Sequence, residues 1–137
     1  MKNIMKLIML VIMISLLGCQ KNTEIPKIKE IHIYEYAGPI DEPSDLIVSA
    51  DTTHHNEILD VFKEILKDAK KEDGIVNLTN PIYTAAIIYS DNTTQEISLW
   101  VSNEKRIGTL MYLDDTHTIY NFSEDLSMKL FNAINEI

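Results

Sequence analysis

The chain has 137 residues, and its 45% hydrophobic and 24% charged content is typical of one folded domain. It has 12 Lys and Arg residues against 21 Asp and Glu residues, a formal net charge of -9 that argues against nucleic acid as a partner. A single cysteine rules out a disulfide-rich scaffold.

Residues 1–18 have the pattern of a secretory signal peptide. Lys2 and Lys6 precede an apolar run over residues 7–17 that only Ser15 interrupts. A helix of that length rises roughly 16 Å, which is about half of the hydrocarbon core of a bilayer. We therefore expect a cleaved signal and not a permanent transmembrane span.

The apolar run ends in a tetrapeptide that resembles the lipobox of bacterial lipoproteins: Leu16, Leu17, Gly18 and Cys19. Leu17 departs from the pattern, because a small or β-branched residue is usual there. The resemblance implies a diacylglyceryl group on the sulfur of Cys19, and two acyl chains anchor a protein stably to a membrane. The alternative is an ordinary secretory signal with a coincidental cysteine.

The protein is predicted to lie at the outer face of the cytoplasmic membrane, held there by a palmitate-type lipid anchor. The chain has eleven Lys and one Arg, together with many Ile and Asn, which favours an AT-rich genome and a Gram-positive host. Cleavage before Cys19 removes Lys2 and Lys6, so the formal charge falls from -9 to -11. Lipidation uses the single thiol, which excludes a cysteine nucleophile.

Residues 19–28 are predicted to form the lipidated N-terminus and a flexible tether, and residues 29–137 a single domain. The domain begins with a strand that has Ile31 and Ile33 on one face. A short second strand is predicted over residues 46–49. The opposite face of the first strand carries His32, Tyr34 and Tyr36.

A helix is predicted over residues 54–71. Asp51, Thr52 or Thr53 offers the N-cap, and Gly74 is predicted to end the helix. The apolar residues recur as one helical stripe: Ile58, Leu59, Phe62, Ile65, Leu66 and Ala69.

Four strands are predicted next, over residues 82–89, 94–101, 107–113 and 116–121. Their short polar connections favour an antiparallel meander. Ser123 is predicted to cap a last helix. The apolar stripe of that helix consists of Leu126, Leu130, Ala133, Ile134 and Ile137.

These elements predict an α+β fold with a single antiparallel sheet, in the order strand or hairpin, helix, four-stranded meander, helix. Each helix has one apolar side, so both are predicted to pack on one face of the sheet. The order resembles the β-α-β4-α arrangement of TATA-binding-protein-like folds. A fold likeness of this kind transfers no function.

The segment with Asp114, Asp115 and His117 combines two carboxylates with an imidazole, which are ligands for hard or borderline metals. The alternative, which we favour, is a hairpin turn with acids at its tip and a histidine beside it. No HExxH motif or EF-hand loop supports a metal site, so no metal or other cofactor is predicted. His54 and His55 are expected to be solvated.

Trp100 is predicted to lie on the sheet face opposite to Ile97, Leu99 and Val101. If the helices cover the Leu99 face, Trp100 lies on the open face, where Trp100 and His117 are the candidate binding surface. The alternative is a tryptophan covered by a loop or a chain terminus. No GxSxG motif is present, and we predict no catalytic residue.

The sequence resembles the YhfM-like lipoproteins of Bacillus-type bacteria, and the similarity spans nearly the whole mature chain. Its more specific parts are Leu99 with Trp100 and the segment of residues 115–118. Further matching residues are Lys29, Ile31, Ile33, Tyr34, Glu35, Tyr36, Gly74, Ile75, Pro81, Tyr83, Tyr120, Ser123 and the turn over residues 90–94. The resemblance implies a small secreted lipoprotein, and no catalytic residue carries over from it.

The sequence therefore predicts a membrane-anchored, non-enzymatic binding module with an extracytoplasmic protein partner. One alternative is a metal-dependent sensor or hydrolase that uses Asp114, Asp115 and His117. Another is an inhibitor of an extracellular enzyme that acts through the aromatic sheet face.

Overall fold

The computed structural model describes residues 26–38, 45–73 and 78–137. The predicted signal peptide, Cys19, most of the tether and Gly74 lie outside these residues. In the described ranges no helix is long and apolar enough to cross a membrane. The elements are β1 (Ile28–Glu35), β2 (Leu46–Ala50), α1 (Asn56–Asp68), β3 (Lys70–Asp73), β4 (Tyr83–Tyr89), β5 (Thr94–Trp100), β6 (Gly108–Tyr112), β7 (Thr118–Phe122) and α2 (Glu124–Asn135).

The strands form one antiparallel sheet in the order β2-β1-β4-β5-β6-β7-β3. The predicted α+β class, the single antiparallel sheet and the two helices are confirmed. The sheet has a seventh strand that was not predicted, because β3 pairs with β7, with Lys71 opposite Tyr120. All four residues of β3 are charged, which suits an edge strand that must not pair with other chains.

The first helix is shorter than predicted. It ends at Asp68, where Ala69 leaves the helical conformation with φ -57° and ψ 123°, although its N–H still bonds to the Ile65 carbonyl at 2.8 Å. The prediction that Gly74 ends the helix is wrong, because β3 already begins at Lys70. Pairing with β7 overrides the helical preference of the lysines.

The turn before this helix differs from the predicted cap. His55 is the N-cap residue, in the left-handed conformation with φ 51° and without a side-chain cap. Asp51 instead accepts hydrogen bonds from the backbone N–H groups of Thr53 at 2.6 Å and His54 at 2.8 Å. Asp51 therefore orders the approach to the helix, and His54 and His55 precede its first turn.

One side of the sheet carries the hydrophobic core. Alternate strand residues such as Ile33, Ala85 and Leu99 are buried together with Phe62 of α1 and Leu130 of α2. Since both helices share this one cluster, they cover the same face of the sheet, as predicted. The remaining fully or nearly fully buried members include Ile31, Val48, Ile58, Ile65, Ile87, Ile97, Leu110 and Ile134.

The second helix begins as predicted. The hydroxyl of Ser123 accepts a hydrogen bond from the Leu126 N–H at 3.4 Å. Inside the helix, the buried hydroxyl of Ser127 accepts a hydrogen bond from the Ser102 N–H at 3.1 Å. Ile137, predicted to belong to the apolar stripe, lies beyond the helix and is 57% exposed.

Candidate functional site

A groove of about 580 Å³ crosses the sheet face that the helices leave open. Its floor comes from the central strands β4 and β5, and its walls come from β1, β6 and the residues that follow those two strands. Strand alternation explains its composition, since every second residue of each strand points to this face. The residues that dominate its chemistry are Tyr34, Tyr36, Glu96, Ser98, Trp100 and Met111.

The strand register brings four of the lining residues into one row across the sheet. Tyr34 on β1 pairs with Thr84 on β4, and Thr84 pairs with Ser98 on β5. Ser98 pairs in turn with Met111 on β6. Ser98 is only 4% exposed, so it forms the buried floor of the groove between an aromatic wall and a thioether wall.

Trp100 lies on the open face, as predicted, and its neighbour Leu99 is fully buried on the helix face. The indole N–H donates a hydrogen bond to the backbone carbonyl of Thr79 at 2.8 Å. This bond fixes the ring edge against the segment that leads into β4. The ring is half-buried, with its N–H held by the segment before β4.

A chain of hydrogen bonds on β1 and β2 holds Tyr34. The Tyr34 hydroxyl lies 3.4 Å from Nδ1 of His32, and Nε2 of His32 lies 2.7 Å from Oε1 of Glu30. Ser49 on β2 donates to the same carboxylate oxygen at 2.7 Å. The hydrogen bonds from Ser49 and His32 lower the pKa of Glu30 below its ordinary value of 4.5, which keeps the carboxylate ionised.

This series of hydrogen bonds was not predicted from the sequence. The available signal was the spacing of Glu30, His32 and Tyr34, because residues two apart on a strand share a face. Periodicity places the three side chains on one side, but the contact with Ser49 depends on the pairing of β1 with β2.

Among the described residues that line the groove, Glu96 is the one charged side chain. It lies on β5 opposite Ala86 of β4, and Ala86 is too small to cover it. Glu96 is exposed, and in the described part of the chain it has no ion-pair partner. The groove therefore combines aromatic and aliphatic walls with one solvent-accessible carboxylate.

The segment with Asp114, Asp115 and His117 is an exposed turn between β6 and β7. The His117 N–H donates to Oδ1 of Asp115 at 3.3 Å, a contact inside the turn. Across the described ranges, no three His, Cys, Asp or Glu side chains are arranged to hold a metal. Thr116 lines the groove, and His117 beside it is not among the described lining residues.

A second hollow, of about 550 Å³, lies beside the two helices. It is lined by residues on the outer parts of both helices, including His55, Glu57 and Lys129. Its lining, as far as the structure describes it, contains no aromatic ring other than the imidazole of His55. The open-face groove, with three aromatic side chains, has the composition expected of a binding site.

The sequence model of a protein family described as "YhfM protein" matches residues 46–137. The chain belongs to the YhfM family. The match runs from β2 to the last residue and includes Glu96, Trp100 and His117, so most of the groove lies in the part that defines a YhfM protein. The resemblance to YhfM-like proteins found in the sequence is thus confirmed. A search of curated proteins gave no match.

A solved structure shares the fold of this YhfM protein. It is described as a thioesterase-like protein from Clostridium sporogenes ATCC 15579, and it superimposes with a TM-score of 0.55. The two sequences are 13% identical, and the alignment covers 80% of this chain and 96% of the other. At that identity the likeness concerns the fold alone.

Proposed function

We propose that this YhfM protein is a lipid-anchored, extracytoplasmic binding module that holds a ligand in the open-face groove. The observation that carries the proposal is the groove itself, in which Trp100, Tyr34 and Tyr36 surround the buried floor at Ser98. Its volume of about 580 Å³ lies within the roughly 300–1,000 Å³ typical of small-molecule sites.

The local contacts support a preformed site. The hydrogen bond to Thr79 fixes Trp100, and the contact with His32 holds Tyr34 on the β1 wall. Walls that are already ordered lose little side-chain entropy when a ligand binds. A protein partner would enter the same site by inserting a side chain between these walls.

We propose that the protein binds its ligand without converting it chemically. A serine nucleophile requires a base within hydrogen-bond reach. The cross-strand neighbours of Ser98 are Thr84 and Met111, and neither side chain is a base. Hydrolysis of short acyl thioesters by the purified protein, abolished by Ser98→Ala, would contradict the non-enzymatic proposal. The TATA-binding-protein-like order of elements stays a prediction and adds no function.

The anchor is proposed on Cys19, from the lipobox resemblance and the short polar tether before β1. It would hold the domain at the outer face of a Gram-positive cytoplasmic membrane. Labelling cells with radioactive palmitate should mark the wild-type protein and not Cys19→Ala. Equal membrane retention of the two proteins would refute the anchor.

The chain contains one tryptophan, and it lies in the groove, so its fluorescence reports directly on ligand entry. We expect hexan-1-ol, a small neutral amphiphile, to change the emission of Trp100 with a saturable dependence on concentration. Ser98→Leu fills the floor and should abolish the change. Ser90→Leu, the same substitution at an exposed turn residue, is the matched control and should bind as the wild type does.

The far-UV circular dichroism of each variant shows whether it has folded. A linear, non-saturable response to hexan-1-ol, or equal responses of Ser98→Leu and Ser90→Leu, would refute binding in the groove.

A further inference from the structure

The described lining of the groove carries a negative charge, on Glu96. We propose that it selects a small organic cation, an amphiphile with an ammonium group, and that Glu96 provides the selectivity. This inference rests on the proposed function, because it names the ligand class of the same groove.

The position of Glu96 defines where the cationic group binds. Glu96, Ser98 and Trp100 follow one another at every second residue of β5, so all three side chains point to the groove. Four residues of a strand span roughly 13 Å, the separation expected between the carboxylate end and the indole end. A ligand with an ammonium group at one end and an apolar body of several carbon atoms matches this length.

The rest of the lining does not oppose a cation. A cation is attracted to an aromatic face only within about 6 Å of the ring centre, so an ammonium group at Glu96 would be too far from Trp100, roughly 13 Å away, and Trp100 would contact the apolar body of the ligand instead. Trp100, Tyr34 and Tyr36 all line the groove, and its described lining contains no Lys, Arg or His side chain. An anionic ligand would meet the carboxylate of Glu96 without a countercharge in the described lining.

A second carboxylate on the open face does not have this role. Glu30 accepts hydrogen bonds from Ser49 and His32 on the same oxygen and does not line the groove. Glu96 has no such partners in the described residues and is exposed to solvent. It is therefore the carboxylate that a ligand can reach.

The size of the groove decides the kind of cation. About 580 Å³ accommodates a small molecule but not a folded segment. The acidic chain, with a formal net charge of -9, also raises the local concentration of cations around the molecule. We therefore commit to a small amphiphilic cation as the occupant.

The test uses three probes with a common six-carbon chain: hexyltrimethylammonium, hexan-1-ol and heptanoate. The full chain is reconstituted in vesicles of digalactosyldiacylglycerol, whose headgroup is uncharged and has neither an amine nor an indole. Trp100 fluorescence then measures the affinity for each probe. We expect the cation to bind about tenfold more tightly than the alcohol, and heptanoate to bind most weakly.

Glu96→Gln should weaken the binding of the cation by about fivefold, the contribution of an exposed ion pair. The affinity for hexan-1-ol should stay unchanged. Glu64→Gln is the matched control: it changes the net charge equally but lies on the exposed side of α1. It should leave all three affinities unchanged. Both glutamines replace exposed side chains, and circular dichroism confirms their folding.

The outcomes separate the two proposals. Equal affinities for the three probes would refute the cation selectivity and leave the binding groove in place. Equal losses in Glu96→Gln and Glu64→Gln would show that the net charge, not Glu96, attracts the cation, and would also refute the inference. Absence of any saturable response to all three probes would refute the proposed function itself.

Discussion

Gly108→Ala should be a strongly destabilising single-methyl substitution, because β6 and β7 approach closely at Gly108 and Phe122. A Cβ atom on residue 108 would lie 2.1 Å from Cε2 and 2.3 Å from Cζ of Phe122. The ring would have to retreat by more than about 1 Å to reach a normal contact, but it is buried, with 3% exposure. Overpacking of this kind costs about 1–3 kcal/mol, and we expect about 3 kcal/mol here.

Urea unfolding followed by circular dichroism measures this loss as a shift of the unfolding midpoint of at least about 1 M. Phe122→Ala alone removes a buried ring and should cost about 3–5 kcal/mol. The double variant should be about as stable as Phe122→Ala, since the ring that clashes is absent. A Gly108→Ala protein within about 1 kcal/mol of the wild type, or additive losses in the double variant, would refute the steric explanation.

Two further predictions concern hydrogen bonds at the helices. Hydrogen bonds from Thr53 and His54 lower the pKa of Asp51 below its ordinary value of 3.8, so the ionised carboxylate stabilises the fold above about pH 4 and this contribution is lost as the pH falls. Asp51→Ala should therefore lower the Tm near neutral pH, and the difference from wild type should shrink in acid; a pH-independent difference would contradict this. Ser127→Ala leaves the Ser102 N–H without its partner and should cost about 1–3 kcal/mol in urea unfolding, whereas a loss below about 0.5 kcal/mol would indicate that water replaces the hydroxyl.

Strand alternation made most of the sheet predictable. Ile31 and Ile33 are buried while Tyr34 faces the groove, and the same rule placed Trp100 opposite to Leu99. These assignments depend only on which side of a strand a residue occupies, and the core determines that side.

Long-range pairing was not predictable in the same way. Residues 70–73 are charged and follow a helix without a break in composition. Local helix propensity therefore extended the predicted helix through Lys71. Their strand conformation depends on β7, which lies almost fifty residues later. The groove, too, was only partly predictable from the sequence. Glu96 was not singled out, because its position beside the aromatic walls depends on the register of four strands.

The path of α1 has a consequence for the order of folding. The helix connects β2 and β3, which lie at opposite edges of the seven-stranded sheet. Contacts within the β4–β7 meander are local, whereas β3 pairs with residues such as Tyr120 far along the chain. Because loop closure slows long-range pairing, we expect the meander to form first and β3 to join it last. Until β3 joins, β7 is the exposed edge of the sheet, and afterwards the charged β3 is an edge that disfavours association with other chains.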